Sequence, residues 1–317
     1  MHNFIQRTRT GGQGRGFALR LILCCTAGAL TASLALATEN GASVYPAGVE
    51  TVMPGMAPAP GQTLFLEFNN YYTASGMANS KGENELPGFQ LSVAAFAPKI
   101  VHNWGVHLLG GTLISSAALP FLYESLAAPF GAQAKTGFGN ADLQVGAVAY
   151  AQGDWHWWYG FDLFPPGFPF AKTDLINLGQ HNLAYTPSAA FTYLPRHGRL
   201  EISSKYQYII NGVDSVTNYR SGREFVWEYD GMVKITRKLA IGGNGFFYRQ
   251  LTNDVQNGFV VGDGNRGRDF AFGPEVKYHV GKCALIAKYE KDMLVENRPI
   301  GNSFWLQFGM PLGHGHE

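Results

Sequence analysis

Leu200-Glu201-Ile202-Ser203-Ser204-Lys205-Tyr206-Gln207-Tyr208-Ile209-Ile210 places Leu200, Ile202, Tyr206, Tyr208 and Ile210 on one face of an extended chain and Glu201, Ser203, Lys205 and Gln207 on the other. A period of two specifies a strand with one apolar and one wet face. The pattern recurs further along. Phe225, Trp227 and Tyr229 oppose Glu224, Glu228 and Asp230; Phe270, Phe272, Val276 and Tyr278 oppose Asp269, Glu275, Lys277 and His279; Phe304, Leu306, Phe308 and Met310 oppose Ser303 and Gln307.

About twelve such segments cover residues 62–73, 88–101, 104–116, 138–151, 155–166, 182–195, 199–211, 222–235, 238–251, 268–280, 282–292 and 301–312. Each is roughly ten to fourteen residues, enough for a tilted strand to cross the hydrocarbon layer, whereas strands of soluble proteins average about five or six. The connections alternate along the chain. Long ones span 74–87, 117–137, 167–181, 212–221, 252–267 and 293–300, and short ones lie around Asn103, Gly153, Arg196 to Gly198, Arg237 and Gly281. Outer-membrane barrels have this rhythm, with short periplasmic turns and long outer loops. The fold predicted is all-β: a transmembrane antiparallel up-and-down barrel of about twelve strands over residues 62–312. A soluble β-sandwich also alternates, but with shorter strands.

The rest of the sequence agrees with that class. Forty glycines, 14% aromatic and 15% charged residues suit a β-rich chain with many turns, and a net charge of +1 gives no electrostatic reason to bind nucleic acid. Arg7, Arg9, Arg15 and Arg20 precede an apolar run from Leu21 to Leu36 and the small-residue stretch Ala35-Leu36-Ala37, so residues 1–37 read as a secretory signal peptide cleaved near Ala37. Cys24 and Cys25 leave with it, and Cys283 alone cannot form an internal disulfide. Beyond residue 37 no apolar stretch approaches the length of a spanning helix, so a membrane location requires a closed barrel. Residues 38–61, with Pro46, Pro54, Pro58 and Pro60, form an extended leader, either a periplasmic arm or an interior plug. Residues 313–317 form a polar tail whose His314 and His316 are too few to make a metal site.

The wet faces predict a lumen lined by Glu67, Asp142, Asp162, Glu201, Lys205, Glu224, Glu228, Asp269, Glu275, Lys277, Lys288 and Glu290. Whether that lumen is an open pore or filled by paired charges stays open, since twelve strands lie between the filled small barrels and the porins. Trp155, Trp157 and Tyr159 beside a short turn, with Trp227 and Tyr229, are assigned to an aromatic girdle at the membrane interface. Pro165, Pro166 and Pro169 among Phe161, Phe164, Phe168 and Phe170 give the third long loop an apolar character suited either to admitting hydrophobic solutes or to packing in the barrel mouth. Gly137 to Asp142 and Gly262 to Asp269 are explained by turn chemistry, as neither has the spacing of a nucleotide or calcium loop. There is no nucleophile elbow; His181, Asn182 and Ser188 are close in sequence, but His181 falls in a loop. No catalytic residue, metal or cofactor is expected.

With these segments in place, the chain resembles the meta-pathway phenol-degradation family of outer-membrane barrels. The likeness spans roughly residues 62–312 and rests on Gly137-Phe138-Gly139-Asn140-Ala141-Asp142-Leu143, Asn218-Tyr219-Arg220-Ser221-Gly222-Arg223-Glu224-Phe225, Gln250-Leu251-Thr252-Asn253-Asp254, Phe272-Gly273-Pro274-Glu275-Val276 and Glu296-Asn297-Arg298-Pro299-Ile300-Gly301. Ala141 is inserted before Asp142 relative to the family pattern. The resemblance implies passive uptake of small hydrophobic or aromatic compounds across the outer membrane, linked to catabolism, and supplies no catalytic residues. The expected partners are outer-membrane lipid, such a solute and the barrel-assembly machinery. An outer-membrane enzyme acting on lipids and a structural or adhesive barrel with a blocked lumen are the alternatives.

Overall fold

The computed structural model describes residues 42–313. The signal peptide with its cleavage near Ala37, the first residues of the leader, and His314 and His316 lie outside the described residues. The strands run in chain order as β1 (Thr63–Met77), β2 (Gln90–Leu108), β3 (Gly111–Ala118), β4 (Phe121–Ala128), β5 (Gly131–Phe138), β6 (Asp142–Gln152), β7 (Trp155–Phe164), β8 (Ala184–Tyr193) and β9 (Leu200–Asn211). They continue as β10 (Tyr219–Arg220), β11 (Glu224–Lys234), β12 (Leu239–Gln250), β13 (Val255–Gln256), β14 (Phe259–Val260), β15 (Arg268–Val280), β16 (Cys283–Asp292) and β17 (Pro299–Leu312).

Twelve of them, β1, β2, β3, β6, β7, β8, β9, β11, β12, β15, β16 and β17, close an antiparallel barrel in which β17 pairs back to β1. Closure leaves no open edge, which is what lets a sheet lie in hydrocarbon. No helix among the described residues is long and apolar enough to cross a membrane. The alternation sets the two faces. On β9, Glu201, Ser203, Lys205 and Gln207 are buried inside, whereas Ile202 and Tyr206 are exposed outside. Phe304 and Leu306 of β17 are likewise exposed to the membrane while Ser303, Trp305 and Gln307 point in. The protein is thus an outer-membrane barrel, with short turns at one end and long loops at the other.

Three expectations about the connections are corrected. The turn placed at Asn103 lies instead at Leu109–Gly110, both with positive φ. β2 runs on past Asn103 because its register with β3 slips between Asn103 and His107, so an irregularity within one strand had read as a break between two. The long connection 117–137 is no open loop but the hairpin β4–β5. β2 has 19 residues and β3 only 8, so the outer half of β2, paired with β1 on one side, would lack a neighbour on the β3 side; β4 supplies one by pairing with Gln90 to Phe96. Loops 212–221 and 252–267 contribute β10, β13 and β14 to a small three-stranded sheet outside the barrel.

Candidate functional site

Residues 42–62 thread the lumen. Pro46, Pro54, Pro58 and Pro60 keep this segment from joining the sheet, since proline donates no hydrogen bond to a ladder. Its buried backbone groups therefore need partners from the wall. The Glu228 carboxylate accepts from the Gly48 amide at 2.7 Å, the Glu50 amide at 3.2 Å and the Tyr45 hydroxyl at 2.7 Å. Gln307 donates to the Val49 carbonyl at 2.7 Å, Trp158 Nε1 to that of Pro54 at 2.6 Å and Asn103 to that of Pro58 at 2.8 Å. Lys288 donates to the Gly48 carbonyl and, at 2.8 Å, to the Thr51 hydroxyl. Gly48 has φ +92°, which disfavours any residue with a side chain, and a Cβ there would also press on the Glu290 carboxylate.

The segment also brings the central charge. Glu50 sits between Lys99, at 2.5 Å, and Lys205, with Asp142 3.8 Å from Lys99. Burial raises the Glu50 carboxyl, but the charges of Lys205 and then Lys99 outweigh burial and hold it at about 2. Tyr45, buried and facing Glu228, is pushed well above the ordinary phenol range and stays a donor. Elsewhere in the lumen Lys277 pairs with Glu201, Lys288 lies 3.5 Å from Glu290, and Arg298 lies 3.9 Å from Asp269 and over the Tyr248 ring.

The alternation of each strand turns Asp142, Asp162, Glu201, Lys205, Glu224, Glu228, Asp269, Glu275, Lys277, Lys288 and Glu290 inward. Glu224 and Glu228 accept hydrogen bonds from the plug, Lys205 pairs with Glu50, Lys288 donates to the Gly48 carbonyl, Lys277 pairs with Glu201, and neither carboxylate oxygen of Glu275 has a hydrogen-bond partner among the described residues. Glu67 is the exception and corrects the expectation. Leu66 and Phe68 take the inward positions of β1, so Glu67 lies on the outer face opposite Phe308 and Pro98, accepting a hydrogen bond from the Ala97 amide at 3.1 Å. Trp155, Trp157 and Tyr159 face outward beside the turn at Gly153, while Trp227 and Tyr229 face outward but sit well inside β11. Two central residues, Glu50 and Lys99, were not among the sequence candidates. Glu50 stands in a proline-rich stretch with no period, and Lys99 is one charge in an apolar strand.

Two apolar chambers flank the plug. The outer one, about 240 Å³, is lined by Val44 and Val49 of the plug, Val93 and Ala95 of β2, and Leu175 and Leu178 of the third long loop. The inner one, about 250 Å³, has Val52, Met53 and Pro54 of the plug and Leu64, Val101 and Ile286 of the wall on its apolar side, with Glu50, Lys99, Lys277 and His279 also reaching its surface. Phe68 lines both. The third loop is pinned over the outer chamber: the Ile176 amide donates to Gln133 at 2.8 Å, Asp174 pairs with Lys135 at 2.5 Å, and His181 pairs with Asp214 at 3.0 Å while stacking on Phe170. Phe170 lines this chamber, Phe164 is buried in the barrel interior, and Phe168 is exposed. Ser188 donates to Asp162, so His181, Asn182 and Ser188 are not assembled into a nucleophile and base. Among the described residues no group of three or more His, Cys, Asp or Glu is placed to hold a metal ion.

Comparison with known proteins adds three findings. Residues 74–308 match the family described as "Putative MetA-pathway of phenol degradation". Among solved structures, the COG4313 outer membrane channel from Pseudomonas putida F1 superposes with a TM-score of 0.71 over 85% of this chain and 100% of that chain, at 16% identity. The transport unit of the autotransporter AIDA-I from Escherichia coli aligns over 78% of this chain and 89% of its own, with a TM-score of 0.46 and 8% identity. At 16% identity the likeness to the COG4313 channel speaks for the fold alone. No curated protein matches the sequence.

Proposed function

Because the chain belongs to the phenol-degradation family that its residues 74–308 match, we propose that it is an outer-membrane channel for passive uptake of small hydrophobic or aromatic compounds. The observation that carries this reading is the pair of apolar chambers meeting at Phe68, beside a plug that takes up the charges of the lumen. Over the apolar part of each chamber a hydrated sugar would lose water contacts to Val, Leu, Ile and Phe side chains that return no hydrogen bond, whereas an apolar solute gains by leaving water. Phe68 then acts as the partition a solute displaces on passing between chambers.

The ordered plug also favours a second reading, a structural barrel closed to solutes. Uptake by liposomes carrying the refolded protein separates the two. Labelled monoaromatic and alkane solutes should enter faster than a sugar of similar size and faster than into empty liposomes. Phe68→Ala should speed aromatic entry and Phe68→Trp should slow it. No entry of any solute, in the native protein and in Phe68→Ala alike, would leave the closed barrel as the reading.

A further inference from the structure

Three neighbouring strands end at the long-loop side in the same arrangement. Arg223-Glu224-Phe225, Phe247-Tyr248-Arg249 and Arg268-Asp269-Phe270 each place an inward Glu, Tyr or Asp between an outward arginine and an outward phenylalanine. Register brings them together. Arg249 is directly opposite Arg268, Phe247 is opposite Phe270, and the Leu251 amide donates to the Arg223 carbonyl, which sets Arg223 diagonal to Arg249. Directly opposed side chains stand about 5 Å apart at Cβ and diagonal ones about 7–8 Å. The result is a row of guanidiniums at the rim above a row of phenyl rings on the lipid-facing wall.

Like charges directly opposite one another destabilise a sheet unless an anion lies between them. Glu296 partly answers this: its carboxylate takes Arg249 Nη1 at 2.7 Å and Arg268 Nη2 at 2.5 Å. Among the described residues it is the only carboxylate paired with any of the three arginines, so two positive charges remain unmatched. Both paired guanidiniums keep about a third of their side-chain surface exposed, and Arg223 is exposed. Just below, Phe225, Phe247 and Phe270 offer surface to acyl chains, with Met293 exposed beside Phe270.

We propose that Arg223, Arg249 and Arg268 form a binding site for the phosphates of an acylated glycolipid in the outer leaflet, whose chains lie on Phe225, Phe247 and Phe270. Guanidinium forks match phosphate oxygens, and the phenyl row requires that the phosphate be carried on a lipid. The site is on the outer wall and is independent of what the lumen carries.

The test uses the full-length protein folded in detergent and titrated with bisphosphorylated lipid A, fully dephosphorylated lipid A, or inorganic phosphate, with bound lipid read by native mass spectrometry. The phosphorylated lipid should bind at least about tenfold tighter than the dephosphorylated one, as charge-assisted hydrogen bonds allow. R223Q/R268Q should erase that preference while the heat-modifiable gel mobility of the folded barrel persists. Should the double variant fail to fold, R223Q alone serves, since Arg223 carries no ion pair among the described residues; it should lose about threefold. Equal binding of the two lipids, an unchanged preference in folded R223Q, or complete displacement of lipid A by millimolar inorganic phosphate would overturn the proposal.

Discussion

The wall and the plug solve the same problem in opposite ways. In the wall every strand gives its backbone to its neighbours, and closure of β17 on β1 leaves no strand of the barrel unpaired. In the plug, residues 42–60 pair with no strand; apart from turns within the segment, amides and carbonyls there are taken by Glu228, Gln307, Trp158, Asn103 and Lys288, side chains scattered over the wall. A local ladder tolerates most outward substitutions, because backbone groups hold it. The plug depends on a handful of side chains, each a single point of failure.

The sharpest way to break that contrast is to remove one partner. Deleting residues 42–60 should leave the barrel closed, since no ladder bond of the wall involves them, while exposing Lys99, Lys205, Glu228 and Lys288 to an emptied lumen. Single-channel conductance should rise by roughly tenfold or more, in line with a small barrel changing from filled to open. A deletion variant that fails to fold, or one that folds but conducts as before, would show that wall and plug are not separable in this way.

A smaller change tests the plug's central contact. Glu50→Gln leaves Lys99 and Lys205 buried around a neutral amide, and breaking one partner of a buried ion pair costs about 3–5 kcal/mol. The native protein should show the same contribution through pH. The Glu50 carboxyl is held down at about 2 in the folded state against an ordinary 4.5, so its stabilisation is complete above about pH 4.5 and is lost as pH falls through about 2. That shift corresponds to about 3 kcal/mol. Urea unfolding followed by tryptophan fluorescence between pH 6 and 2 should show this loss in the native protein and a flatter profile in Glu50→Gln. Parallel profiles would remove Glu50 from the centre of the plug's stability.

What was legible in the sequence follows the same division. The outward and inward faces of β9, β11, β15 and β17 could be read from period two, because lipid on one side and a polar interior on the other select opposite residue types. The turn misplaced at Asn103 and the hairpin β4–β5 were hidden for a different reason: a strand's length is set by its neighbours, and β2 outlasts β3. The plug's course was open between arm and interior because it follows from contacts between residues 45 to 258 apart, such as Pro58 with Asn103 and Val49 with Gln307, which have no local period. Lys99 shows the limit within a strand, since its role depends on the Glu50 that meets it from outside the sheet.

Glu67 sharpens the comparison at its smallest scale, because it breaks the rule of the wall from within. It is a carboxylate on the outer side of β1, covered by its neighbours to 7% exposure and hydrogen-bonded to the Ala97 amide, in the middle of a strand where the rule allows apolar side chains. A buried charge with no cation paired to it among the described residues is unfavourable, while an acceptor for that amide is favourable, so the two contributions can be separated. Glu67→Gln keeps an acceptor and removes the charge, and should stabilise the barrel slightly, by up to about 1 kcal/mol. Glu67→Leu matches the surrounding surface but removes the acceptor, and should cost about 1 kcal/mol relative to Glu67→Gln. If Glu67→Leu proves the more stable of the two in urea unfolding from vesicles, the ladder alone secures this part of the wall, and the carboxylate is the kind of tolerated outward residue that the contrast with the plug predicts.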